Sequence, residues 1–133
     1  MTVVPEGFLA TRERSVVVEA ISARKLFRTN LDQERFENYL QTSGPDYVLR
    51  ITTSGMIKEL VDRLQSLQMK ESLSSELIDL RYRISFDDGE KNLGRVYVGA
   101  FGEILTQGKV FQPDVKGKWL REVWTILQSD IIK

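Results

Sequence analysis

Residues 77–87 constrain the fold more than any other part of this chain, because apolar and polar side chains alternate along them. The stretch reads LIDLRYRISFD, and a period of two is typical of a β-strand with one face in a hydrophobic core. Antiparallel sheets with one solvated face show this pattern most clearly. The inward positions are Ile78, Leu80, Tyr82, Ile84 and Phe86, and the outward positions are Asp79, Arg81, Arg83, Ser85 and Asp87.

The residues that follow this strand predict further antiparallel strands. The stretch DDGEKNLG is rich in turn formers, and residues 95–100 alternate again as a partner strand. Residues 104–106 and 109–111 flank Gln107-Gly108, which suits a two-residue hairpin turn. The pattern therefore predicts a meander of three consecutive strands linked by hairpins.

Three segments predict helices. Residues 31–42 follow an Asn30/Gln33 capping-box spacing and end before Gly44 and Pro45. Residues 56–69, with Ser54 as their expected cap, and residues 115–130 carry apolar stripes at helical spacing. Together with the strands they predict a core of Ile57, Leu60, Val61, Leu64, Ile78, Leu80, Ile84, Val96, Val98, Leu120, Val123, Trp124 and Leu127.

Two earlier segments are expected to extend the sheet. The β-branched run in residues 15–22 favours a strand, although a short helix fits the same residues, and residues 46–53 alternate. The sequence therefore predicts a single α+β domain over residues 1–133. Its antiparallel sheet combines a three-strand C-terminal meander with two earlier strands, and about three helices pack on one face. The strand order stays open.

Composition excludes several chemistries. The chain has 133 residues, with no cysteine and no histidine, so thiol nucleophiles, zinc–thiolate sites and histidine-based catalysis cannot be built. The 19 basic and 19 acidic side chains balance, which argues against general binding of nucleic acid or anionic membranes. With neither a signal peptide nor an apolar span in evidence, we expect a cytoplasmic protein without a metal or cofactor.

Two groups of charged residues suggest less favoured functions. Arg81, Arg83 and Arg95, with Tyr97, fall on the predicted solvent face of the sheet, where they could bind RNA or simply form ion pairs. The carboxylates of the DDGE turn could serve a carboxylate-dependent enzyme, although their spacing matches no calcium loop. A solvated hairpin turn explains the same residues, because Asp and Gly belong in turns.

The favoured function is that of a non-catalytic protein-binding module. Residues 31–90 carry twelve acidic and seven basic side chains, so an acidic surface could meet a basic partner. A bacterial immunity or inhibitor-type protein that masks a basic toxin or nuclease fits this description. The alternative is a structural or regulatory subunit of a homo-oligomer or larger assembly, for example a homodimer joined through a sheet edge or through the last helix. The predicted partner-binding residues are Asp87, Asp88, Glu90, Asp32, Glu34, Glu37 and Trp119.

Overall fold

The computed structural model describes residues 3–22, 24–71, 78–113 and 121. They form an α+β fold around one antiparallel sheet of seven strands in the order β2-β1-β4-β5-β6-β7-β3. The strands are β1 (Arg14–Ala20), β2 (Tyr47–Ile51), β3 (Met69–Glu71), β4 (Leu80–Asp88), β5 (Lys91–Gly99), β6 (Ile104–Thr106) and β7 (Lys109–Pro113). The helices are a 3-10 turn (Phe8–Ala10), α1 (Gln33–Ser43) and α2 (Ser54–Ser66).

The antiparallel class is confirmed, but the sheet is larger than the sequence predicted. Strands β4 to β7 are consecutive neighbours, so the meander has four strands and not three. The hairpin at Gln107-Gly108 is confirmed, because both residues have positive φ angles of 53° and 75°, as such a turn requires. Strand β3 was missed, because its residues 69–71 follow directly from the apolar stripe of α2.

The helices cover both faces of the sheet, so the prediction of helices on one face is wrong. Helix α2 packs with Val96 and Val98 of β5, whereas α1 packs with Tyr97, the residue between them. Adjacent residues of a strand point to opposite faces, so α1 and α2 lie on opposite sides. The predicted third helix, residues 115–130, lies outside the described residues except for Arg121.

The ends of the helices differ in detail from the predictions. Helix α1 begins after Asp32 rather than Asn30, because the Asp32 carboxylate accepts a hydrogen bond of 2.9 Å from the Arg35 amide. It ends at Gly44, as predicted, where φ is 76°. Helix α2 begins after Thr53 and already includes Ser54, the residue predicted as its cap.

The predicted core is confirmed wherever the structure describes it. Helical and strand periodicity identified nine of these positions, and each exposes 3% or less of its surface: Ile57, Leu60, Val61, Leu64, Ile78, Leu80, Ile84, Val96 and Val98. The other four predicted core residues, Leu120, Val123, Trp124 and Leu127, lie outside the described residues.

Strand β4 does not keep the unbroken alternation that its sequence suggests. Its register with β5 shifts between Leu80 and Tyr82, and this β-bulge puts Leu80 in the α1 cluster while Ile84 stays in the α2 cluster. Arg81 and Ser85, predicted to face solvent, are each only 5% exposed. The reason is that α1 and the loop before it cover the face of the sheet that the sequence pattern predicted to be exposed to solvent.

Candidate protein-binding surfaces

The acidic turn joins β4 to β5 at one end of the sheet. Gly89 sits at its corner with a φ of 61°, and its amide donates to the Glu13 carbonyl over 2.9 Å. Asp87 and Asp88 are half-buried, not fully exposed as predicted, whereas Glu90 is exposed. The turn is thus anchored to the segment before β1 and does not project freely.

The acidic residues of α1 do not all face solvent. Asp32 and Glu34 are exposed at the start of the helix, where a carboxylate is favoured by the helix dipole. Glu37 was predicted as a partner-binding residue, but its carboxylate accepts from Arg83 at 2.5 Å and from the Tyr97 hydroxyl. Because both oxygens are used inside the protein, Glu37 ties α1 to the sheet and is not a free surface charge.

One cleft is lined by a residue of α1 and by a residue near the acidic turn, but by none of the predicted acidic residues. Gln33, in the first turn of α1, and Asn92, near the start of β5, both line it. The Asn92 side-chain amide in turn donates to the Asp87 carboxylate over 2.8 Å. Asp87 is therefore one hydrogen bond away from a residue of this cleft, and Asp32 and Glu34 are the chain neighbours of another, Gln33. Trp119 lies outside the described residues.

A charge cluster lies between α1 and the sheet. Arg83 of β4 pairs with Glu19 of β1 at 2.7 Å and with Glu37 of α1, and Tyr97 adds its hydroxyl to Glu37. Burial lowers the pKa of Arg83, but the hydrogen bond and charge of Glu19, with the charge of Glu37, outweigh this and raise it. Burial, and then the hydrogen bond to Glu37, raise the pKa of Tyr97, so the phenol remains neutral at pH 7.

The arginines predicted on a solvated sheet face are mostly enclosed. Arg81 is 5% exposed, pairs with Asp79 at 3.0 Å, donates to the Ser22 carbonyl and stacks over Phe27 at 5.0 Å. The side chain of Arg83 is 13% exposed. An exposed row of three arginines, which an RNA-binding sheet face would need, is therefore not present; only Arg95 remains exposed.

Large apolar side chains are exposed mainly at the end of the sheet opposite the acidic turn. Among the described residues five large hydrophobic side chains are exposed, and four of them occupy this end. We call these four residues the apolar end; they are Leu26 at 93%, Phe101 at 73%, Val48 at 61% and Tyr47 at 56% exposure. The fifth, Leu9, is 46% exposed and lies near the acidic turn, where Arg14 donates to its carbonyl.

The strand register places these residues at one end. Strand β1 ends at Ala20, which pairs with Tyr47 at the start of β2. Strand β5 ends at Gly99, which pairs with Leu80 at the start of β4 and precedes Phe101 by two residues. The loop bearing Leu26 leaves β1 directly after this pairing, so all four residues lie towards the same end of the sheet, with Tyr47 and Val48 on opposite faces of terminal strand β2.

Polar contacts fix the loops of the apolar end to one another. Asp79 accepts from the Leu31 amide at 2.9 Å through its side chain and from the Ala100 amide at 2.8 Å through its carbonyl. On the other side, Asp46 accepts from the Ser22 amide and from Lys25, both at 2.7 Å. The hydrogen bond from Lys25, and then that from Ser22, lower the pKa of Asp46. Leu26 and Phe101 are thus carried by anchored loops, and Tyr47 and Val48 by strand β2.

Sequence reasoning missed the apolar end, although one signal was available. Leu26 and Phe101 lie in segments rich in charged, glycine and turn-forming residues and belong to no apolar stripe. An apolar residue outside any periodic pattern belongs to no helix or strand face that packs in a core, so its exposure could have been predicted. Its position beside the other three could not, because that depends on strand pairing.

No protein family, characterised protein or solved structure matches this chain. Within the part of the chain that the structure describes, no three acidic side chains are grouped as metal ligands. None of the helices in that same part is both long and apolar enough to cross a membrane.

Proposed function

We propose that this chain is a non-catalytic protein-binding module, and the single observation that supports this best is the apolar end. Leu26, Tyr47, Val48 and Phe101 expose between 56% and 93% of their surface at one end of the sheet. Single exposed apolar residues are ordinary on a protein surface, so the proposal rests on four of the five described ones lying towards one end of the sheet. Covering them with a partner would contribute about 25 cal/mol for each Å² removed from water.

The loops at this end are suited to binding because they are held in place before a partner arrives. The Asp79 and Asp46 hydrogen bonds connect four segments at distances of 2.7 to 2.9 Å: the loop after β1, the residues before β2 and before β4, and the loop after β5. Ordering a loop on binding lowers affinity, so anchored loops bind more tightly than mobile ones. The charged side chains of Arg81, Arg83 and Glu37 are used in ion pairs within the protein.

In its narrower form, the proposal is an immunity or inhibitor-type protein that masks a basic toxin or nuclease. Support comes from Asp32 and Glu34, which are exposed at the start of α1, and from Asp87, which accepts a hydrogen bond from Asn92. An acidic surface of this kind would speed association with a basic partner and could pair with its arginines. Glu37 has no part in this surface, because Arg83 and Tyr97 occupy its carboxylate.

A subunit role in a homo-oligomer is the second candidate, and strand β2 favours it. Strand β2 is a terminal strand of the sheet, and Tyr47 and Val48 on it are exposed. A terminal strand offers backbone N–H and C=O groups that a second strand can pair with. Pairing along β2 would also involve Tyr47 and Val48, two of the four residues of the apolar end.

Paired substitutions test whether the apolar end is the interface. The double variant Leu26→Ser/Phe101→Ser removes its two most exposed side chains, and Leu9→Ser is the matched control near the opposite end. Both should fold normally, because exposed substitutions change stability by about 0.5 kcal/mol or less. Tagged full-length chains are expressed in the native cell, and co-purifying proteins are quantified by mass spectrometry.

We expect at least one stoichiometric partner with the wild-type chain and with Leu9→Ser, and its loss from the double variant. Equal recovery with all three chains would remove the apolar end from the interface. Sedimentation of the purified chain distinguishes a homo-oligomer from a module that binds another protein. A homo-oligomer would self-associate with no other protein present.

A charge reversal tests the narrower form. Asp87→Lys with Asp88→Lys should weaken binding of an identified basic partner by more than tenfold, or about 1.4 kcal/mol. The loss should be greatest at low salt, where long-range attraction is strongest. The charge-reversal variant could keep its affinity while Leu26→Ser/Phe101→Ser loses binding. The proposal of a protein-binding module would then be kept, and the proposal of an acidic interface would be wrong.

A further inference from the structure

A second candidate site lies in the cleft between the start of α1 and the hairpin of β6 and β7. It has a volume of about 340 Å³, within the range of sites that hold small molecules or single side chains. Strand β5 forms its floor, and the Gln107-Gly108 turn closes one side. The lining residues are Gln33, Asn92, Arg95, Tyr97, Leu105, Thr106, Gln107 and Gly108.

A β-bulge brings two of the polar residues onto the same side. Asn92 and Arg95 are three residues apart and would face opposite sides of a regular strand. In β5, however, Phe86 pairs with Gly94 and Asp87 pairs with Asn92, so one extra residue is inserted between them. Asn92 and Arg95 therefore both line the cleft.

Arg95 differs from the other two arginines on this side of the sheet. Arg81 and Arg83 are enclosed and paired with carboxylates at 3.0 Å and 2.7 Å. Arg95 is exposed, and no carboxylate among the described residues lies within ion-pair distance of it. The Asp87 carboxylate, which could have reached along the strand, accepts instead from Asn92.

The remaining lining residues carry no charge. Tyr97 donates its hydroxyl to Glu37. Gln33, Gln107 and Thr106 have side chains that can form hydrogen bonds, and Leu105 is apolar. The cleft thus combines one positive charge with several neutral hydrogen-bonding groups.

We propose that this cleft binds a carboxylate group, held by Arg95. A planar guanidinium matches a carboxylate with two parallel hydrogen bonds, and one cation balances the single charge of that anion. The carboxylate belongs either to a small organic acid or to an Asp or Glu side chain of a partner. The proposal is independent of the apolar end, which lies at the other end of the strands.

Nuclear magnetic resonance titration tests the site with two probes, succinate and N-acetyl-aspartate amide. Succinamide, which has no charge, is the chemical control. Sodium chloride at the same ionic strength as the probes is the control for a general effect of salt. The Arg95 side-chain N–H and the side-chain amides of Gln33 and Gln107 report binding. Arg95→Gln is the test variant, and Arg50→Gln, another exposed arginine without an ion pair among the described residues, is its matched control.

We expect saturable shifts at the cleft with at least one carboxylate probe, none with succinamide, and binding weakened more than tenfold in Arg95→Gln only. Succinate alone would identify a small acid, and the aspartate probe alone would identify a protein side chain. Equal saturation in Arg95→Gln, equal shifts around Arg50, or the same shifts with chloride would overturn the proposal. Spectra of the unbound variants show directly that each retains the fold.

Discussion

Glu37 of helix α1 and Arg83 of strand β4 form an ion pair of 2.5 Å across the interface between helix and sheet. Arg83 also holds Glu19 of β1, so one guanidinium joins two strands and a helix. The Arg83 side chain is 13% exposed, whereas that of Glu37 is 31% exposed, so water screens part of the pair. This contact fixes α1 over the sheet face that the sequence pattern had assigned to solvent.

Replacing Arg83 by methionine should destabilise the fold. The variant keeps much of the apolar stem but leaves the Glu19 and Glu37 carboxylates close together without their cation. Breaking a fully buried pair costs about 3–5 kcal/mol, and the partial exposure of Glu37 reduces our expectation to about 2–3 kcal/mol. Urea unfolding measures the loss. Arg50→Met, at an exposed position, is the control and should lose less than about 0.5 kcal/mol. Equal losses would contradict a structural role for the cluster.

Tyr97 should ionise above its ordinary pKa of 10.0, because burial and the hydrogen bond to Glu37 both favour the neutral phenol. A raised folded pKa means that the stabilisation is fully present below the unfolded value and is lost as pH rises through the folded value. Phenolate absorbance against pH measures the midpoints. Tyr97→Phe should remove one high midpoint, and Tyr82→Phe removes another, since burial also raises the pKa of Tyr82. A Tyr97 midpoint at or below 10.0 would contradict the hydrogen bond.

The Lys25–Asp46 contact should weaken in acid. The hydrogen bonds from Lys25 and from the Ser22 amide hold the pKa of Asp46 below its ordinary value of 3.8. A lowered folded pKa gives stabilisation above the ordinary value that is lost as pH falls through the folded value. The Ser22 amide resonance should therefore shift with a midpoint below 3.8. In Lys25→Gln the midpoint should move back upwards, and an unchanged midpoint would remove Lys25 as the main cause.

Truncating Leu64 should have one of the larger effects in this chain. Leu64 lies on the buried face of α2 and is 1% exposed, so Leu64→Ala loses apolar burial and leaves a cavity. We expect a loss of about 2–5 kcal/mol in the free energy of unfolding. Leu26→Ala removes the same atoms from a side chain that is 93% exposed and should cost less than about 0.5 kcal/mol. Similar losses of stability in Leu64→Ala and Leu26→Ala would contradict the finding that Leu64 is buried and Leu26 is exposed.

Of the candidate sites, the sequence identified some residues but not their arrangement. Asp87, Asp32 and Glu34 were predicted as acidic surface residues, yet only the structure shows that Asp87 accepts from Asn92 and that Asn92 and Gln33 line one cleft. Glu37 was predicted on the acidic surface because the sequence shows its charge but does not show its partner. Arg83, which lies 46 residues further along the chain, decides its role.

Local periodicity identified most of the helices and strands, though not β3, and it identified which of their residues are apolar enough for a core. It identified Leu60 and Leu64 of α2 and Val98 of β5, because a repeat of 3.6 or two residues depends only on neighbours in the chain. Tertiary structure decided which faces are covered, since the bulge near Arg81 and the packing of α1 over Arg83 depend on distant segments. It also gathered Leu26 and Phe101 at one end, because strand pairing, and not sequence distance, determines which loops lie together.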